Sequence, residues 1–303
     1  MQDLLTRAGC FAAMIVLGFV LRRIGFFKEN AFEVLSKIVL KITLPASIVI
    51  NFAQMEMSAS MLTIALAGFC GGVVYIIVAA LTHLRKSKRQ RAFAILNLPG
   101  YNIGIFTLPF IQSFLGPVGV VTASLVDLGN AFVCLGGAYG VASSVKDGKG
   151  FSIGRILKAL ITSVPFLFYL IMITINVLHI PLPGAVLSFA DIIKNANAFL
   201  AMLMIGVGFQ IKAERSKLGT LIKIVVLRYA VGAAVAAVFY YLLPFSLEIR
   251  QTLVLLAFSP ISSAVPAFTG ELKEDVGLSS AINSVCIVVS IVIMVTLLSV
   301  MLV

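Results

Sequence analysis

The chain is poor in charge and in the residues from which most catalytic and metal centres are built. Only 12% of its 303 residues are charged and it has just two histidines, far from the profile of a soluble globular domain. His83 and His179 fall at the ends of apolar segments on different loops, without a ligand partner nearby in sequence, and neither is assigned chemistry. Cys10, Cys70, Cys134 and Cys286 each sit alone inside an apolar segment. With no paired spacing and no neighbouring histidine they argue against a metal site and read as packing residues. The glycine-rich runs lack the strand and GK[ST] context of a phosphate loop, which argues against nucleotide-driven transport. Low-complexity tracts and a domain linker are absent; "VKDGKGFS" is only a short polar loop. The start, "MQDLLTRAGCFAAMIVLGFVLRR", has neither a basic leading end nor an A-x-A cleavage site, so it reads as a first membrane span rather than a removable signal.

What is abundant is apolar surface: 60% of residues are hydrophobic and mean hydropathy is +1.11. A bilayer core is crossed by roughly 20 helical residues, and short connections bring that to about 30 residues per span. The length therefore allows about ten spans. Long apolar runs bounded by charges or turn residues place them at 4–21, 33–52, 60–82, 92–114, 118–143, 156–178, 184–211, 218–243, 250–270 and 277–302. Alternate connections are basic: Arg22, Arg23 and Lys28; Arg85, Lys86, Lys88, Arg89 and Arg91; Lys146, Lys149, Arg155 and Lys158; Lys212, Arg215, Lys217 and Lys223; and Lys273. The N-terminus and the other connections carry only Arg7 and Arg250, so the positive-inside rule puts the basic loops in the cytoplasm and both termini outside. The formal net charge of +11 is then a topology signal with a secondary attraction to lipid headgroups, and no nucleic-acid partner is expected. Lys37, Lys41 and Arg228 are expected to snorkel toward the cytoplasmic side, whereas Lys194 sits deeper.

An odd number of spans per half gives two halves of opposite orientation, the inverted repeat of many secondary carriers. "RQRAFAILNLPGYNIGIFTLPF" and "EIRQTLVLLAFSPISSAVPAF" both run from an arginine through an apolar half-span to a proline-polar break and a second proline. Gly119 and Ala123 recur as Gly277 and Ala281. The expected fold is all-α: ten transmembrane helices in two inverted five-helix repeats, 1–147 and 148–303, with the fourth and ninth spans broken and crossed. A break in hydrocarbon leaves backbone groups unpaired at several kcal/mol each, so it must be buried in protein or line a wet cavity. Pro99, Gly100 and Asn102 mark the first break; Pro260, Ser262 and Ser263 mark the second. Two such breaks present half-helix N-termini, amides and short polar side chains, a setting for an anion that needs no buried Lys or Arg.

Other polar residues inside apolar runs are candidates for coupling. Asp127, with Asn130 one turn on, is an intramembrane carboxylate suited to proton carriage or cation binding, or to pairing with the amides of a broken helix. Asn283 sits near the second break if the halves are symmetric. Asp191 and Lys194 stand at i and i+3 and most simply neutralise each other; Lys194, Asn197 and Asn51 are weaker candidates for a scaffold wall. The runs "GFCGG" and "GVGF" are explained by close helix packing.

"NIGIFTLPF", "SPISSAVPAF" followed by "VGLSSAINS", and "SLVDLGNAF" resemble the auxin efflux carrier family, which includes plant PIN-type auxin carriers and bacterial permeases for malate or malonate. The likeness extends over essentially the whole chain. It implies an elevator-like carrier in which spans one, two, six and seven form a scaffold and spans three to five and eight to ten a moving transport unit. It also implies an Asn near the fourth-span proline motif that holds the substrate carboxylate. Aligned on the second proline, Asn102 matches that Asn; aligned on Pro99, Gly100 takes its place. The long cytoplasmic loop of plant PIN carriers is missing between spans five and six. Homodimerisation through the scaffold is implied by the family likeness alone.

The expected function is secondary active transport of small mono- or dicarboxylates across a bacterial-type inner membrane, driven by a proton or sodium gradient, with no cofactor and no enzyme activity. A sodium-coupled carrier of bile-acid type is the alternative from the same broad fold group. An intramembrane enzyme would need a nucleophile, base or metal cluster that is not evident, and a passive channel would favour a continuous polar stripe.

Overall fold

The structure, a computed structural model, describes residues 2–54, 59–148, 151–209 and 214–301; the side chains of residues 2–5 and 59–60 are not among those described. Lys149 and Lys212 of the basic connections lie outside the described residues. The chain is 82% helical, with no strand among the described residues. Its α-helices are α1 (Gln2–Arg23), α2 (Ala31–Ile38), α3 (Leu44–Ala53), α4 (Thr63–Thr82), α5 (Lys88–Asn97), α6 (Leu108–Phe114), α7 (Pro117–Phe132) and α8 (Ala138–Asp147). They continue with α9 (Ile153–Thr162), α10 (Val164–Val177), α11 (Gly184–Lys194), α12 (Asn197–Gly208), α13 (Leu218–Tyr241), α14 (Leu247–Ala257), α15 (Val265–Glu271) and α16 (Val276–Met301).

Each of the ten predicted segments falls on helix, yet several are interrupted. Wide π-turns occupy Val39–Thr43 between α2 and α3, Ile103–Thr107 before α6, and Val133–Gly137 between α7 and α8. α9 and α10 meet at a 75° bend, where Ser163 is extended and Pro165 opens the next helix. Among the described residues five helical runs are individually long and apolar enough to cross a membrane, or six with this bent pair. Proline stands in the first turn of α3, α6, α7, α10 and α15, where its missing N–H has no helical partner to lose.

Apolar residues point outward as well as inward: Leu66, Ile77 and Leu81 on α4, Ile222 and Val226 on α13, and Val288 and Val292 on α16 are exposed, as on helices bathed in lipid rather than water. Helix pairs close on glycine. Gly68 on α4 abuts the backbone of Val126, and Gly129 on α7 abuts that of Ala65; Gly18 on α1 and Gly206 on α12 do the same for Leu203 and Ile15. A side chain at these positions would meet backbone, so small residues set the spacing. The runs read as packing motifs pack in this way.

Candidate functional site

α5 ends at Asn97 because Pro99 removes a donor and Gly100 turns the chain with φ +82, a conformation that L side chains rarely adopt. α14 ends at Ala257 ahead of Pro260. The two interruptions meet. The Asn102 amide donates to the Pro260 carbonyl at 2.9 Å, Asn102 Nδ2 to Ser263 Oγ at 2.7 Å, and Thr107 Oγ1 to Ser259 Oγ at 2.8 Å. Backbone groups that neither helix can satisfy are thus paired across the crossing.

A cavity of about 260 Å³ opens beside it, lined by Asn102, Ser262, Ser263, Asp127, Asn130 and Tyr169 among others. Ile103, Gly104 and Ala264, at the start of the second halves, also face it. Asp127 is bonded on both oxygens: Asn130 Nδ2 donates to Oδ1 at 3.0 Å and the Tyr169 hydroxyl to Oδ2 at 3.0 Å. Asn130 also clamps the first break, accepting from the Tyr101 amide at 3.0 Å and donating to the Tyr101 carbonyl at 2.8 Å. It is therefore the residue that bonds to helix-break amides, while Asp127 is held through it. Cys134, read from sequence as packing, lines the cavity and lies 3.2 Å from Asn130 Oδ1.

The remaining sequence candidates are distributed differently. Pro99, Gly100 and Pro260 form the backbone of the crossing but do not line the cavity. Asn51 Nδ2 donates to the Ser47 carbonyl of its own helix at 2.6 Å. Asn197 is buried and accepts from Thr43 Oγ1 at 2.8 Å. Lys194 pairs with Asp191 at 3.4 Å, as i,i+3 spacing anticipated. None of Asn51, Asn197 and Lys194 lines this cavity; from the helices they belong to or neighbour, Ser36, Leu40, Leu44, Pro165, Phe166 and Tyr169 do. Asn283 lies instead on an adjoining cavity of about 340 Å³ with Arg22, Glu29, Ser280 and Ser284. The two cavities share Phe32 and Ser263, and the buried Asn283 Oδ1 has no hydrogen-bond partner among the described residues.

Arg228 overturns one expectation. Its side chain does not snorkel: it is 1% exposed and donates to the carbonyls of Leu98 (2.5 Å), Gly100 (2.8 Å) and Ser259 (2.7 Å). The guanidinium lies 5.2 Å from the Tyr75 ring centroid and 5.9 Å from that of Tyr101. The expectation that the crossing needs no buried cation is therefore corrected. The signal was present in the sequence: Arg228 lies ten residues into α13, about 15 Å along the helix, too deep for its head to reach the interface. Tyr169 had no comparable signal, being one aromatic among many in an apolar run.

Residues 11–145, which contain the first break, Asp127 and Asn130, match the family model described as a membrane transport protein. Over those residues the chain is similar to that membrane transport family. That match indicates membrane transport, and the apolar helices indicate an integral membrane protein. No curated protein matched the chain.

Proposed function

We propose that the chain is a member of the auxin efflux carrier family and a secondary active transporter of small organic anions, mono- or dicarboxylates, working by an elevator-like movement. The observation that carries the reading is the meeting of two interrupted helices beside a polar cavity that contains Asn102, Ser262, Ser263 and Asp127. A cavity of about 260 Å³ suits a small acid better than a large amphipathic one. In this reading the ten segments all cross the membrane, in two inverted repeats with both termini outside. Asn102 and the two serines hold the substrate carboxylate. Asp127, Asn130 and Asn283 serve coupling to a proton or cation gradient.

The scaffold comprises α1 to α3 and α9 to α12, and the remaining helices move. Polar contacts that bridge that boundary include Tyr169 to Asp127 at 3.0 Å, Ser47 to Gln112 at 3.1 Å, Arg7 to the Ser113 carbonyl at 3.2 Å, and Arg155 to Glu271. All are contacts that water or another side chain can replace, as a sliding interface requires. Uptake of labelled malate into proteoliposomes, with and without imposed proton or sodium gradients, tests the reading. Asn102→Ala is expected to abolish saturable uptake; if saturable uptake survives that substitution, the anion site lies elsewhere.

A further inference from the structure

Arg228 and Asp127 are both deep in the molecule, and neither has an ion-pair partner among the described residues. The Arg228 head bonds to neutral carbonyls and lies against tyrosine rings. Those carbonyls come from the ends of both first half-helices, where the backbone dipoles concentrate negative charge. Three inward-turned carbonyl oxygens from two interrupted helices are also what a hard monovalent cation would seek. The guanidinium already fills that place, and its planar fork reaches three diverging acceptors at once.

On the other side of Tyr101, Asp127 has two hydrogen-bond donors on its oxygens, Asn130 Nδ2 and the Tyr169 hydroxyl. Donor hydrogens repel a cation, so neither Asp127 oxygen is presented to one in this arrangement. The titratable groups facing Asp127 across the cavity are Tyr169 from α10, Cys134 from the π-turn after α7 and Tyr101 from the first break; no Lys, Arg, His or Glu lines it.

Charge balance then dictates a sequence of events. Empty, the core is neutral when Arg228 is positive and Asp127 ionised. With a carboxylate guest beside the crossing, it is neutral only when Asp127 carries a proton. Uncompensated charge in such a setting is costly, so guest and proton come and go together. We propose that Arg228 is a built-in cation occupying the place a sodium ion would need at the crossing, and that each carboxylate guest is matched by one proton on Asp127. This rests on the carrier reading above and selects its coupling ion. The proton is taken from the side where the guest binds, by the Asp127 carboxylate. It is released on the other side with the guest, and the empty neutral unit returns. A monocarboxylate therefore crosses without net charge, whereas a dicarboxylate dianion carries one negative charge across with it.

The experiment uses the full chain in proteoliposomes with labelled lactate and labelled malate, under a pH gradient in choline, a sodium gradient at equal pH, or neither. Accumulation driven by the pH gradient alone is expected, with malate but not lactate responding to membrane voltage. Asp127→Asn is expected to keep exchange of labelled for unlabelled substrate while losing accumulation driven by pH. Uptake that follows sodium, or Asp127→Asn vesicles that still concentrate substrate in a pH gradient, overturns the inference but leaves the carrier reading intact. Saturable uptake in none of the media overturns both. The wild-type ion dependence and Asp127→Asn carry the test even if Arg228→Ala does not fold. If Arg228→Ala does fold, added guanidinium or sodium is expected to raise its melting temperature and not that of the unsubstituted protein, and a variant that neither cation stabilises would contradict the assignment.

Discussion

Single residues hold the crossing together by satisfying backbone that no helix can. Asn130 is the clearest case. Its carboxamide pairs with both the amide and the carbonyl of Tyr101, so Asn130→Ala strands two buried groups at about 1–3 kcal/mol each. Thermal melting of the purified variant should show that loss, and Asn130→Asp, which sets a second carboxyl against Asp127 and the Tyr101 carbonyl in place of a donor, should be no milder at neutral pH. Gly100 is constrained twice, by φ +82 and by the Cys134 sulfur, which would lie 2.7 Å from an added Cβ. Gly100→Ala is expected to cost about 1–3 kcal/mol, and pairing it with Cys134→Ala should recover only the steric part. The positions of both breaks were legible from Pro99, Gly100, Pro260 and Pro266. That Asn130 would clamp the first was not, because nothing local marks a contact between residues 29 positions apart.

At the scale of elements, the turn between α15 and α16 gathers partners from across one face. Glu271 pairs with Arg155, Glu274 with Arg89 at 3.1 Å and Lys146 at 2.6 Å, and Asp275 with Lys217 at 2.7 Å. Burial pushes the Glu274 carboxyl up, but hydrogen bonds and charge from Arg89 and Lys146 outweigh it and hold the group below the usual carboxylate range. Lys217 and the Leu278 amide hold Asp275 down likewise. A depressed folded-state value means stabilisation that is complete at neutral pH and lost as pH falls through that value. Glu274→Gln should therefore lower the melting temperature at pH 7, with a difference that shrinks below about pH 4, the ordinary carboxylate range. A difference constant with pH would show that packing, not charge, is what the substitution removes. The helix pairs closed on glycine make a separate prediction. Gly206→Leu must push α12 off α1, an overpacking cost of about 1–3 kcal/mol or more, visible as reduced yield of folded protein.

For the whole molecule, the elevator reading requires α6 to slide past α3. Ser47 Oγ donates to Gln112 Oε1 at 3.1 Å across that contact. Cysteines at both positions, in a background with the native cysteines replaced, should be joined by a short bis-thiol reagent. Joining is expected to stop labelled malate uptake, and a reducible linker should restore it once cleaved. Uptake undiminished in the joined protein would mean the two units do not move past each other.

Hydropathy and charge spacing determined the helical class, the ten segments and the two interruptions, because the cost of exposed backbone and misplaced charge in lipid is local and leaves a local mark. The membrane-transport assignment was readable from the same runs. Only the tertiary structure decided which polar groups share a cavity: Asp127 with Tyr169, Asn102 with Ser263, and Asn283 next door rather than beside Asp127. The reversal at Arg228 has the same origin. One residue in isolation is cheapest at the lipid surface, but carbonyls contributed by two distant segments make the interior the better solvent for its charge, and that sum exists only once the chain has folded.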